Sequence, residues 1–228
     1  MCGRYTQSTK LNDLVGRFGL NEPGFDLAPR YNLSPNQQAP VAGVRPDTPD
    51  SRSLKLMLWG LVPYWAKDPT IGNKMINARA ETLGQRPAFK HLLSSNRCLV
   101  LADGFYEWFK EGRTKTPMRF LLETEEPFAF AGLWDRWRQA DATILYSFTI
   151  ITTEPNDLVG PIHNRMPAIL RPEDEQSWLD PAIKDTAAIS RMLRPYPAES
   201  MKSYCVSRIV NSPLNDTPDC IIPETRTC

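Results

Sequence analysis

The sequence predicts an α+β fold: a mostly antiparallel β-sheet core with a few helices, in one compact domain spanning residues 1–228. Three observations carry this expectation. Strand-like segments follow one another from Leu54 to Thr152 with few helices between them. Helical periodicity is confined to short stretches, chiefly towards the two ends. The 21 prolines are spread along the whole length, with no repeat or low-complexity tract to mark a linker.

The elements can be justified in order. Residues Ser8 to Gly19 read as a helix, with Leu11, Leu14, Val15 and Phe18 on one face, Ser8 as cap and Gly19 as stop. Leu54, Leu56 and Leu58 alternate as on a half-buried strand. A short helix is expected around Phe89-Lys90-His91. Strands are expected at Arg97–Ala102, Gly104–Phe109, Met118–Leu122, Phe128–Leu133 and Ile144–Thr152. Helices follow at Pro172–Leu179, with Pro172 at the first position, and at Ala182–Leu193.

Composition narrows the function. A net charge of +1 favours neither nucleic acid nor its absence, although the 27 basic residues are rich in arginine, which forks onto phosphate and carboxylate. No stretch reaches the roughly 18 apolar residues of a membrane span, and the first residues lack a secretory apolar segment. The expected location is therefore cytoplasmic, and nucleoid-associated if the source is bacterial. Five scattered cysteines and only two histidines argue against a disulfide framework and against a metal site, and no cofactor is implied. Cys98, in the run Cys98-Leu-Val-Leu-Ala102, reads as a small core residue.

Five segments carry candidate chemistry. Cys2 follows the initiator methionine; removal of Met1 leaves a free α-amine two carbons from its own thiol. Such an aminothiol condenses with an aldehyde to an imine and then closes to a thiazolidine. Reference pKa values of about 8 for the amine and about 8.5 for the thiol let both react near neutrality. An incidental small residue at a chain end is the plain alternative. Asn77, in Ile76-Asn-Ala-Arg-Ala-Glu-Thr82, can bond a sugar oxygen while Arg79 clamps a phosphate, or it can simply cap a helix. Glu107 lies among the aromatics of Asp103-Gly-Phe-Tyr-Glu-Trp-Phe109, either buried with a raised pKa or on the wet face of an edge strand. His163 and Arg165 share a loop bracketed by Pro161 and Pro167, suiting proton exchange and phosphate binding, whereas His91 reads as a surface residue. In Trp59-Gly-Leu-Val-Pro-Tyr-Trp65, Trp65 can stack on a base or wedge between bases, and Trp59 suits core packing.

Taken in order, Met1-Cys-Gly-Arg4, Arg30-Tyr-Asn-Leu-Ser-Pro35, Trp59–Trp65, Ile76–Thr82, Asp103–Trp108, Ile162–Pro167 and Val206–Asn211 resemble the SOS response-associated peptidase family, whose members shield abasic sites in single-stranded DNA. The resemblance implies that Cys2, exposed by autoproteolytic loss of Met1, forms the thiazolidine with the ring-opened abasic sugar. It assigns Asn77 to sensing the lesion and Glu107 and His163 to proton transfer, completing a catalytic set with Cys2. It places Arg4, Arg79 and Arg165 near the DNA backbone. One departure is the Trp65-Ala66 pair where some relatives carry two adjacent tryptophans. The expected partner is single-stranded DNA containing abasic sites, bound by a monomer without metal or membrane; lyase-type activity is compatible. Two rival classes share some features. N-terminal-nucleophile amidotransferases also begin Met-Cys-Gly but lack the later motifs, and a non-covalent DNA-binding module would release DNA on denaturation.

Overall fold

The structure, a computed structural model, describes residues 2–45 and 48–224, and at residues 45 and 48–50 it describes the backbone alone. Its strands are β1 (Tyr5–Gln7), β2 (Arg30–Leu33), β3 (Gln38–Arg45), β4 (Thr48–Trp59), β5 (Asn77–Arg79), β6 (Arg97–Ala102), β7 (Gly104–Glu111), β8 (Thr114–Leu122), β9 (Phe128–Arg138), β10 (Ile144–Thr153), β11 (Met166–Pro167) and β12 (Met201–Cys205). Its helices are α1 (Leu11–Phe18), α2 (Pro87–Ser95), α3 (Pro172–Leu179) and α4 (Thr186–Met192).

Two sheets pack on each other. The first has the order β12-β8-β7-β1-β2. The second runs β11-β10-β4-β3-β6-β9, and β9 pairs again with β10, closing β10, β4, β3, β6 and β9 into a ring. Closure removes the free edges that a long sheet would otherwise expose. Pairing is antiparallel except where β10 runs parallel to β4 and β5. The α+β architecture and its mostly antiparallel core are as the sequence predicts.

Between the sheets lies a core of Tyr5, Trp59, Phe105, Phe120, Phe130 and Phe148, all without solvent exposure. Tyr5 meets Trp59 and Phe130 edge to face at 5.1 and 5.6 Å. Aromatic pairs in that arrangement contribute about 0.5–1.5 kcal/mol beyond their buried area. The Trp59 indole N–H also donates to the Ile76 carbonyl at 2.9 Å, tying the end of β4 to the segment that enters β5. Gly60 is required for this crossing. Its φ is +129°, and a Cβ there would lie 2.8 Å from the Gly72 carbonyl oxygen. A second core beneath the other face of the ring gathers Leu99, Leu101 and Ile151 with Trp178 of α3 and Leu14 and Phe18 of α1.

Several boundaries differ from the sequence reading. Helix α1 starts at Leu11, not Ser8, because the Ser8 and Thr9 N–H groups and hydroxyls all donate to the Asp103 carboxylate. Gly19 does stop it, at φ 58°, with its N–H on the Val15 carbonyl. Helix α4 starts at Thr186 rather than Ala182, since Asp185 caps the Ala187 and Ala188 N–H groups. In β4, Leu54 is buried but Leu56 is 40% exposed, while Met57 and Trp59 face inward. The strand thus changes the face it buries as it passes from the second core to the aromatic one. Cys98 is a free core thiol, as expected, as are Cys2 and Cys220, whereas Cys205 is disulfide-bonded. No helix among the described residues is long and apolar enough to cross a membrane.

Candidate functional site

The site forms where β1 enters the first sheet. Strand β1 pairs antiparallel with β7 through Tyr5 and Phe105, and the Tyr106 N–H donates to the Arg4 carbonyl at 3.0 Å. Continuing this register back along the chain carries Cys2 to the region of Glu107. Cys2 is fully buried, and its Sγ lies 3.8 Å from the Arg4 carbonyl. Burial first, and the Glu107 charge second, push its thiol well above the ordinary range. A thiol so placed stays protonated until a proton acceptor takes its hydrogen.

Asn77 opens β5, which lies parallel to β10 in the register Ile150 to Asn77. It is therefore no helix cap, and that alternative falls. Its Nδ2 donates to the Cys2 carbonyl at 2.7 Å. Its Oδ1 is buried with no hydrogen-bond partner among the described residues, an acceptor that costs stability unless something occupies it.

Glu107 is only 4% exposed, on a strand held between β1 and β8, so the wet-edge alternative also falls. Desolvation raises its carboxyl above the usual range, with the nearby His163 opposing. His163 lies in the loop between β10 and β11, where its own N–H and that of Ile162 donate to the Val159 carbonyl at 2.9 Å. Its Nδ1 lies 3.0 Å from the Arg165 N–H and 3.1 Å from the Arg165 carbonyl, so the Arg165 backbone holds the ring in place in either tautomer. Glu107 and His163 line the same open cavity of about 520 Å³. Cys2, Asn77, Glu107 and His163, scattered over the sequence, thus come together.

The basic candidates divide. Arg4 is spent within the chain: its guanidinium donates to Asn32 Oδ1 at 2.8 Å and to the Val210 and Asn211 carbonyls at 2.7 and 3.2 Å. Arg165 forks onto both Glu81 oxygens at 2.7 and 3.1 Å and also donates to the Thr152 carbonyl at 2.5 Å. Burial would raise the Glu81 carboxyl, but the Arg165 hydrogen bonds outweigh it and hold that carboxyl low. Arg79 is exposed, and its guanidinium makes no hydrogen bond or ion pair with a described residue. Trp65 is 49% exposed beside a cavity of about 460 Å³, whereas Trp59 is fully buried, so the two tryptophans separate as their alternatives allowed. His91 lies at the surface on α2, with 42% of its side chain exposed.

Sequence reasoning gave no part to Asn32, Trp108, Lys110, Lys115 or Asn211. Asn32 is buried and reaches the carbonyls of Val210, Ser212 and Asn215 at 3.1, 3.0 and 2.7 Å. With Arg4 it locks the Arg30–Pro35 and Val206–Asn211 motifs together. The pairing of those two motifs was the available signal, but nothing local to either marks it.

Comparison with known proteins agrees with this architecture. A family model described as SOS response associated peptidase matches residues 1–213. A Bacillus subtilis protein named abasic site processing protein YoqW is 45% identical over 224 residues, covering 97% of this chain and 99% of its own. The Gallus gallus abasic site processing protein HMCES is 38% identical over 86% of this chain and 66% of its own. The crystal structure of a protein from Bacteroides thetaiotaomicron superposes with a TM-score of 0.87 at 28% identity, covering 98% of this chain and all of that one. The chain belongs to the SOS response associated peptidase family.

Proposed function

We propose that this protein shields abasic sites in single-stranded DNA by bonding covalently to them through Cys2. One observation carries the reading. A fully buried Cys2 has its carbonyl held by Asn77 at 2.7 Å and leads into the strand paired with the one that carries Glu107, which lines a single cavity with His163. The names of the relatives point to the same lesion.

Hydrolysis of the Met1–Cys2 peptide bond, by the protein itself, frees the α-amine. An abasic sugar equilibrates between a closed hemiacetal and an open aldehyde, and the aldehyde is the reactive form. The amine attacks its carbon, forming the C–N bond while the carbonyl oxygen takes a proton. Glu107, whose carboxyl burial raises above the usual range, gives a proton to the resulting hydroxyl, and water leaves. The imine carbon then receives the Cys2 sulfur as the thiol proton returns to Glu107 or passes to His163. The product is a thiazolidine, and the balance is one aldehyde and one aminothiol to one ring and one water. General acid–base help of this kind contributes about 10²–10⁴-fold.

Asn77 fixes Cys2 by its carbonyl and offers its vacant Oδ1 to a sugar hydroxyl. Arg79 takes a phosphate, and Trp65 packs on a neighbouring base. Arg4 and Arg165 add to the positive field while holding the scaffold. Single strands suit this site because a sugar must leave any stack to reach a buried sulfur. One chain supplies every group, so a monomer suffices. The same acid–base pair suits a lyase-type side reaction at the opened sugar.

The test mixes the protein, its loss of Met1 checked by intact mass, with an oligonucleotide containing one abasic site. A band of added mass that survives heat and denaturant is the expected result. Binding that vanishes on denaturation would instead indicate a non-covalent module. Glutamine hydrolysis without an adduct would indicate an amidotransferase. A full-yield adduct from protein retaining Met1 would overturn the role of the free amine.

A further inference from the structure

The cavity that holds Glu107 and His163 is also lined by two lysines of the β7–β8 hairpin, Lys110 and Lys115. They face each other directly across the hairpin, paired in register. Both are exposed, and neither ammonium group makes a hydrogen bond or ion pair with a described residue. Like charges set opposite each other on paired strands repel and destabilise the pair. The fold does not relieve that repulsion, so an anion that bridges both ammonium groups would. Between the lysines and the inner end stands Trp108, fixed by its indole N–H on Asn211 Oδ1 at 2.7 Å and by Arg4 at 6.0 Å from its ring.

We infer that Lys110 and Lys115 form a phosphate clamp for the DNA strand flanking the lesion on one side, guiding it along the hairpin away from Cys2. The inference rests on the function proposed above for Glu107 and His163. Three strand positions separate Lys110 from Glu107, roughly 10 Å at about 3.3 Å per residue. Stacked DNA advances about 3.4 Å per nucleotide of one strand, which sets the clamped phosphate up to about three nucleotides from the abasic sugar. Lysine suits such a role, since a mobile ammonium follows a flexible backbone without demanding one geometry. The clamp binds the strand and takes no part in the bond-forming steps.

Three fluorescent single strands carrying a tetrahydrofuran abasic analogue, which has no aldehyde, test this. One bears the analogue centrally, one has only a 5′ flank and one only a 3′ flank. Anisotropy titrations over a salt series compare the wild type with the Lys110→Ala/Lys115→Ala variant. The log–log salt slope should flatten by about 0.7, the worth of the one clamped phosphate, on the central strand and on one single-flank strand, with no change on the other. The melting temperature should hold or rise, because the variant removes a repulsive pair. Wild-type slopes on all three strands would overturn the clamp, as would equal losses on both single-flank strands. Failure of the covalent reading shows separately: a wild type that forms no heat-stable adduct with a true abasic strand, yet shows the one-sided slope difference, loses the thiazolidine and keeps the clamp.

Discussion

The ground around Cys2 and the rim that surrounds it are built on opposite terms. Inside, Cys2 and Glu107 are buried, an asparagine oxygen has no partner, and burial pushes both the thiol and the carboxyl up. On the rim, Arg79, Trp65, Lys110 and Lys115 are exposed and the lysine and arginine charges bond to no described residue. Buried polar groups cost stability and hold one geometry, which suits a step whose rate depends on positioning. Exposed cations cost little and act over a Debye length of about 8 Å, which suits capture of a polyanion. Variants inside should therefore change rate at constant affinity, and variants on the rim should change affinity and salt dependence at constant rate.

The largest expected effect is at Cys2. Cys2→Ala should abolish the heat-stable adduct while binding of a tetrahydrofuran strand persists, since the alanine amine still condenses but no thiol closes the ring. A denaturing gel and an anisotropy titration on the same protein check both halves. An adduct at wild-type yield would remove the thiazolidine from the scheme.

Next come Glu107→Gln and His163→Ala, each expected to slow single-turnover cross-linking by about 10²–10⁴-fold at saturating protein. Glu107 adds a pH signature. Its carboxyl is raised, so the folded protein holds that proton more tightly than the unfolded chain does. The associated stability is present at acid pH and is lost as pH rises through the raised value. Glu107→Gln should then melt higher than the wild type at neutral pH, with the gap shrinking towards acid, and its cross-linking rate should lose the fall that ionisation of Glu107 imposes on the wild type. Wild-type rates in both variants would return the two residues to structural roles.

How far the sequence carried this picture varies with the range of the interactions. Strand β6 and helix α3 were legible to the residue, because period and a proline at the first helical position are local signals. The start of α1 was not, because Ser8 serves Asp103, 95 positions away. The order of the motifs named Cys2, Asn77, Glu107 and His163, and the fold brings them together. It did not reveal that Arg165 is committed to Glu81, since that pair spans 84 positions. The lysine pair escaped because two unremarkable surface residues acquire meaning through hairpin register alone.

A smaller effect separates the two tryptophans. Trp65→Ala should weaken single-strand binding by about 1–3 kcal/mol, the usual worth of one stacked base, with an unchanged melting temperature. Trp59→Ala should do the reverse, costing about 3–5 kcal/mol of stability for a buried indole. Loss of stability without loss of affinity at Trp65 would make it a packing residue and leave the neighbouring cavity without a base to receive.

The finest test lies between two arginines that each stand two positions after a residue of the inner cluster, Arg79 after Asn77 and Arg165 after His163. Their surroundings differ. Arg165 has 12% of its side chain exposed and forks onto Glu81, while Arg79 is exposed and its guanidinium has no hydrogen bond or ion pair with a described residue. A phosphate reaching Arg165 must displace a carboxylate or share the guanidinium with it, whereas Arg79 feels the Glu81 charge without a hydrogen bond to it. Arg79→Ala should therefore flatten the salt slope by about 0.7, one single-strand contact, with no change in melting temperature. Arg165→Ala should lower the melting temperature, because it strands Glu81 and the Thr152 carbonyl, and should move the slope by less. Glu81→Gln completes the set: with its fork released, Arg165 gains a free face for phosphate, and the wild-type slope should steepen. If Arg79→Ala and Arg165→Ala gave the same slope and the same melting temperature, the Glu81 ion pair would not distinguish them. The division between a costly interior and an inexpensive rim would then fail at the place where the two meet.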